Sequence, residues 1–357
     1  MLITRLAAQL CALAPLLAAA DSARTQNIIL VTADGLRWQE VFRGIDPMLA
    51  HEKSAHMDQA EARRKRYWRD TEPERRETLM PFFWKQLAAR GLALPNVQVT
   101  NPYRVSYPGY SEILTGRVEE SIHGNDPIRN PNETVLEFLK RKLGLAKEQV
   151  ALLASWDTFR AIGEHTEGSI FLNAGYQAIE GPKPSPSLAE LSSLQFRMLT
   201  PWDNARHDYI TYTMALEYLK AAKPRVLYIS LDETDDWAHD HRYDRVLDAI
   251  SDFDQFLERL WNTVESMQEY RGRTTLIITS DHGRGGTLAD WSNHGKNVAG
   301  ADRVWLAIAG PDTPGTGLSD AGAAQRDIAP TIIKLMGLDP AEYKGATGSP
   351  VSAAFGR

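Results

Sequence analysis

The stretch LIITSDHGRG, residues 276–285, sets an apolar run against an aspartate and a histidine side by side. Leu276, Ile277, Ile278 and Thr279 lack the polar alternation of a half-exposed strand, which is the pattern of a strand buried on both faces of a parallel sheet. In open α/β sheets ligands gather outside the carboxyl ends of the strands. Asp281 and His282 fall at that edge.

Working outward, six runs read as buried strands: NIILVTA (27–33), LALPNVQVT (92–100), VALLAS (150–155), RVLYISL (225–231), TTLIITS (274–280) and RVWLAIAG (303–310). Between them lie segments with apolar residues at three and four spacing, among them ETLMPFFWKQLAARG, ETVLEFLKRKLG, YITYTMALEYLKAA, RVLDAISDFDQFLERLWNTVESMQ and RDIAPTIIKLMG. That spacing predicts helices. Strands alternating with helices predict a mostly parallel sheet covered on both faces. Two regions interrupt the alternation: residues 46–77, whose EARRKRYWRDTEPERRE is densely charged and reads as a solvated insertion, and residues 165–205, a loop-like excursion around GPKPSPS suited to a lid. No composition shift marks a second domain, so residues 21–357 read as one.

The chain of 357 residues is 43% hydrophobic and 24% charged, without repeats or low-complexity tracts, which excludes a solenoid or a disordered tail. A net charge of −6 gives no reason to expect a nucleic-acid polymer as partner. Residues 1–20 combine a short positive start, an apolar core and the small-residue run Ala18-Ala19-Ala20. This reads as a secretory signal peptide, too short to span a bilayer, so the expected product is secreted or periplasmic with no membrane span in the mature chain. The single cysteine, Cys11, lies inside that segment, and neither disulfides nor cysteine ligands are expected after its removal.

Other strand ends repeat the theme of the opening stretch. Asp34 follows the first strand, Asp232, Asp235, Asp236 and His239 follow RVLYISL, and His294 in WSNHGKN precedes the last strand. Carboxylates and imidazoles together suit Zn²⁺, with Mn²⁺ or Fe²⁺ as alternatives where water completes the shell. The ligands outnumber what one tetrahedral ion needs, and two divalent ions that clamp the attacking and leaving oxygens are the economical reading. Ser106, in NPYRVSYPGYSEILTGR, sits in a turn leading into a helical pattern, where its hydroxyl could serve as nucleophile or simply cap the helix.

Taken in order, ILVTADGLR, SYPGYSEILTG, ETDDWAH, TSDHGRG and NHGKN resemble the motifs of the alkaline phosphatase superfamily, most closely its type I phosphodiesterase/nucleotide pyrophosphatase-like branch. The resemblance spans nearly all of the mature chain and implies a three-layer α/β/α sandwich. It implies one ion held by Asp34, Asp281, His282 and the Ser106 oxygen, and a second held by Asp235, His239 and His294. Asn125 resembles the family asparagine that donates to a phosphoryl oxygen, with Asn130 as its rival. The implied activity is hydrolysis of a small-molecule phosphate ester, monoester or diester, through a phosphoseryl intermediate.

The departures from the pattern also inform. Ser106-Tyr107-Pro108-Gly109-Tyr110 stands where the phosphodiesterases carry Thr-Phe-Pro-Asn-His, so a leaving-group preference does not carry over. A formylglycine sulfatase needs an arginine where Tyr110 stands, which disfavours that relative. Cofactor-independent phosphoglycerate mutases share the metal core but are longer, cytosolic chains. Phosphonate hydrolysis or phosphoryl transfer would use the same residues, and a metal-dependent binding protein is the non-enzyme alternative. Arg37, Arg104, Arg284 and Lys296 are cations near the motifs that could meet a non-bridging oxygen.

Overall fold

The computed structural model describes residues 24–179 and 185–356, so the expected signal peptide and Cys11 lie outside the described residues. Its centre is one twisted sheet. The strands are β1 (Asn27–Ala33), β2 (Leu92–Gln98), β3 (Val150–Ala154), β4 (Phe171–Ala174), β5 (Val226–Leu231), β6 (Thr274–Thr279), β7 (Arg303–Ala309), β8 (Gly317–Leu318) and β9 (Ala323–Ala324). They run in the order β4-β3-β5-β1-β6-β7-β2-β8, with β9 also on β2. β1 pairs in parallel with β5 on one side and β6 on the other, Ile28 facing Val226 and Thr275.

The sheet divides the core in two, as the period of two along a strand requires. Ile29 and Val31 of β1, Leu227 and Ile229 of β5 and Ile278 of β6 face one layer, which the Asp208–Ala222 and Tyr243–Ser266 helices cover. Ile28, Leu30, Val226, Tyr228 and Ile277 face the other, with the Ser106–Thr115, Val135–Leu143 and Ile328–Leu335 helices. This is the mostly parallel three-layer sandwich expected from the alternation of elements.

β7 is antiparallel to β6, and β2 is antiparallel to β7. Two reversals return β2 to the direction of the central strands, so its carboxyl end, which leads to Ser106, opens on the same edge as those of β1, β5 and β6. Pro95 falls where the β2–β7 register slips between Leu94 and Val97, a place where a residue without an N–H is tolerated.

Three segments differ from the sequence expectation. The helix read through 77–91 stops at Leu79 and resumes at Pro81, which suits a first helical position, and then winds as a π-helix over Phe83–Ala88. The charged insertion 46–77 turns most of its charges outward, yet Arg75 is buried, and Leu49, Ala55, Met57 and Tyr67 pack against the main core. The excursion 165–205 contains the edge strand β4, parallel to β3, and the Pro186–Leu194 helix.

Candidate metal centre

The ends of β5, β1 and β6, three neighbours in the middle of the sheet, carry most of the acidic residues singled out above. Asp34 follows β1 directly, and Asp281 and His282 follow β6. After β5 the chain turns into a short helix, Glu233–His239, which sets Asp235 and His239 one turn apart on one face. His294 comes from the loop before β7. Gly35 takes the turn after Asp34 at φ +55°, and a side chain there would strike Asp235 and Arg284.

These side chains converge. His282 Nε2 lies 3.3 Å from Asp34 Oδ1, 3.4 Å from Asp281 Oδ2 and 3.6 Å from Asp235 Oδ1. His239 Nε2 is 3.1 Å from Asp235 Oδ2 and 3.0 Å from His294 Nε2. The His294 ring stacks on His282 at 3.8 Å between centroids. Donor atoms of Asp34, Asp281 and His282 fall within 4.8 Å of one another, and so do those of Asp235, His282 and His294. His282 thus stands between two groups, and His239 joins the second through Asp235 and His294.

Second contacts hold the rings and carboxylates in place. Backbone carbonyls of Gly283 and Arg104 lie 3.1 Å from Nδ1 of His282 and of His294, leaving each Nε2 directed inward. Asp281 Oδ1 accepts from Gly35 N at 3.0 Å, and Asp34 Oδ2 accepts from the Tyr110 hydroxyl at 2.9 Å. Their other oxygens, Asp34 Oδ1 and Asp281 Oδ2, are buried without a hydrogen-bond partner among the described residues.

Burial and mutual charge displace the titration of the cluster in both directions. Burial and the neighbouring Asp34 carboxylate push Asp281 up to about 8. Burial alone would lower His282, but Asp281 and Asp34 override it and raise the ring to about 9. Burial and His282 hold His294 and His239 below the ordinary histidine value. Carboxylates crowded together, two orphaned oxygens and inward-facing ring nitrogens are the donor set that a divalent cation satisfies. The residues present fit metal binding.

Ser106 is the first residue of the Ser106–Thr115 helix, and its cap position is Val105. Its hydroxyl therefore does not cap the helix, and lies 3.4 Å from His282 Nε2. Gly109 allows this approach, since a Cβ there would sit 2.3 Å from the Asp281 carbonyl oxygen. Asn125 Oδ1 accepts from Tyr107 N at 2.9 Å, which brings Asn125 to the start of the same helix with its amide nitrogen free of hydrogen bonds among the described residues. Asn130 is fully buried, and its amide donates to Ser111 Oγ inside the fold. The structure thus puts Asn125 beside Ser106 and keeps Asn130 away from it.

Among the four cations, Arg37 is buried in pairs with Glu40 and Asp46. Arg284 is buried against Asp235 and the Ser292 carbonyl. Arg104 pairs with Asp302 at 3.3 Å, and Lys296 is exposed. Two site residues escaped the sequence reading. Tyr110 had registered there only as a missing arginine, and Gln325, fully buried, donates to the Ser280 and Asp281 carbonyls at 3.0 and 2.7 Å. Gln325 acts on main-chain atoms of a distant segment, so no local pattern marks it.

Comparison with known proteins gives a consistent picture. The family described as Sulfatase matches residues 26–338. A stretch of 122 residues is 29% identical to a 2,3-bisphosphoglycerate-independent phosphoglycerate mutase of Gracilaria tenuistipitata var. liui, covering 34% of this chain and 23% of that one. The chain therefore spans about a quarter of the length of that relative. Among solved structures, wild-type alkaline phosphatase PafA superposes with a TM-score of 0.58 at 10% identity, covering 93% of this chain and 99% of the other. A putative sulfatase, yidJ, from Bacteroides fragilis superposes with a TM-score of 0.56 at 15% identity, covering 94% and 79%. At such identities the two structures speak for the fold.

Proposed function

The chain belongs to the Sulfatase family, a hydrolase group within the alkaline phosphatase superfamily, and from that premise we propose that it is an exported phosphate ester hydrolase working with two divalent ions and Ser106 as nucleophile. The observation that carries this reading is the Ser106 hydroxyl, freed from capping and placed 3.4 Å from His282 Nε2 beside the orphaned carboxylate oxygens.

In this reading Asp34, Asp281, His282 and the Ser106 oxygen would hold one ion, and Asp235, His239 and His294 the other, with Zn²⁺ preferred and Mn²⁺ the alternative. Bound ions would supply Lewis acidity to the phosphoryl oxygens and favour ionisation of a hydroxyl. Ser106 Oγ attacks phosphorus in line, forming the Oγ–P bond while the ester P–O bond breaks and the alcohol leaves with a proton from solvent. The Asn125 amide donates to a non-bridging oxygen. Water then displaces Ser106 Oγ, which regains a proton, and the product is a phosphate monoester from a diester, or inorganic phosphate from a monoester, with configuration at phosphorus retained.

What favours phosphate over sulfate is Tyr110, which stands in place of the arginine that formylglycine modification of Ser106 needs. Three of the four nearby cations are already paired with carboxylates, Arg284 with Asp235 of the site itself, which favours a diester, with its single negative charge, over a dianionic monoester. The phosphodiesterase-like branch is thus the preferred placement, and a small-molecule ester the preferred substrate.

The test strips purified protein of metal, reloads it with Zn²⁺ or Mn²⁺, and measures p-nitrophenol release from the monoester phosphate, the bis-ester phosphate and the sulfate. Diester turnover lost in Ser106→Ala with metal content unchanged is the expected result. Normal turnover in Ser106→Ala, or a preference for the sulfate, overturns the proposal.

A further inference from the structure

Two buried carboxylates of the proposed first metal site are treated alike by the fold. Asp34 and Asp281 are 1% and 0% exposed, and each gives one oxygen to a hydrogen bond while the other stays unpartnered. The free pair, Asp34 Oδ1 and Asp281 Oδ2, are the oxygens 3.3 and 3.4 Å from His282 Nε2. For Asp281 the nearer donor is a backbone group, Gly35 N at 3.0 Å, with the Ser280 hydroxyl at 3.5 Å on the same oxygen. For Asp34 it is a side chain, the Tyr110 hydroxyl at 2.9 Å.

Tyr110 is built for a fixed direction. Its ring is fully buried and packs edge-on against Phe159 with centroids 4.6 Å apart. It lies one helical turn after Ser106 on the same helix, so both residues face the strand ends. The backbone of Asp34 is pinned as well, since its carbonyl accepts from Thr234 Oγ1 at 2.5 Å. With main chain and one carboxylate oxygen both held, Asp34 has a single oxygen left to offer.

We propose that Tyr110 is a positioning residue for the first metal site, holding Asp34 so that one oxygen alone faces the ion, and thereby tying that ion's affinity to the helix that carries Ser106. This rests on the ligand assignment of the proposed function and adds a residue to it. The partner of a metal-binding carboxylate fixes its orientation and commonly matters to affinity by roughly 10- to 100-fold. A tyrosine seated there only for packing would lose nothing in metal affinity on becoming phenylalanine.

The experiment is a Zn²⁺ titration of the full metal-free chain by calorimetry against a competing chelator, with no substrate present. Tyr110→Phe keeps the ring and its contact with Phe159, and the thermal midpoint of the metal-free variant checks that the fold survives. In a His294→Ala background, where the second site is disabled, Tyr110→Phe is expected to weaken the remaining site by roughly 10-fold or more. In an Asp281→Asn background, where the first site is disabled, it is expected to leave the remaining affinity within twofold. Combined with Asp34→Asn it should cost little further, because its action runs through Asp34.

First-site affinity unchanged in Tyr110→Phe, or equal weakening of both sites, overturns the inference while leaving the proposed function standing. A wild-type chain that binds no divalent ion overturns both.

Discussion

Asn125 and Asn130 have the same side chain and lie five residues apart, yet their surroundings assign them different work. Asn125, at the entrance to the Ser106 helix, is expected to act on substrate, so Asn125→Ala should lower kcat/KM by about 10²-fold, the scale of one lost donor to a developing oxyanion, with a loss of about 1 kcal/mol in stability from the acceptor taken away from Tyr107 N. Asn130, bonded to Ser111 inside the core, should do the reverse: Asn130→Ala should lower stability by about 1–3 kcal/mol while the remaining folded enzyme keeps its kcat. Steady-state kinetics and thermal melts on the two variants check both outcomes. At this scale the sequence makes legible where a residue that follows a strand will stand, because strand ends are fixed points; the positions of Asp34, Asp281 and His282 at the sheet edge follow that way. The choice between the asparagines was not readable, since it depends on which amide the Tyr107 N–H meets. Tyr110 was opaque for the same reason: its partner Asp34 is 76 residues away.

At the scale of elements, long apolar runs were legible nearly to the residue, as in β1, β6 and β7, because burial on both faces leaves a continuous signal. β8 and β9 were not, having two residues each and owing their existence to the free edge of β2. β4 was hidden for a related reason, being only four residues long inside a polar excursion. The break in the helix read through 77–91 has its own explanation in Asp254, which accepts from Phe82 N and Phe83 N at 2.9 and 2.8 Å and so caps the resumed helix from the far side of the core. Asp254→Ala would leave both amides without their acceptor and should cost about 2–4 kcal/mol, read by urea unfolding. Burial also raises the Asp254 carboxyl from 3.8 to about 6. Its folded form therefore holds a proton that the unfolded chain releases, so this contribution to stability is full below the unfolded value and is lost as pH rises through about 6. Unfolding midpoints taken from pH 5 to 7 should fall more steeply in wild type than in Asp254→Ala.

For the whole molecule, the sheet acts as a frame that brings like charges together at one edge, where a divalent cation, once bound, would offset their repulsion. Chelation should therefore lower the thermal midpoint, and Zn²⁺ restored at a thousandfold excess over its Kd should return about 4 kcal/mol. Differential scanning calorimetry on metal-free and reloaded protein checks this, and a midpoint indifferent to chelator would argue that the cluster holds no ion.

The position of β1 between β5 and β6 also bears on how the chain comes to be folded. β1 meets its two hydrogen-bonded neighbours only much later in the chain, Ile28 waiting for Val226 and Thr275, 198 and 247 residues further on. Such distant pairing makes folding slow, and a nascent chain cannot complete its central strands until its last third has emerged. The candidate metal centre inherits that dependence: Asp34 lies at the end of the strand that waits and Asp281 and His282 at the end of one it waits for, so these candidate ligands meet only once β1 has been joined.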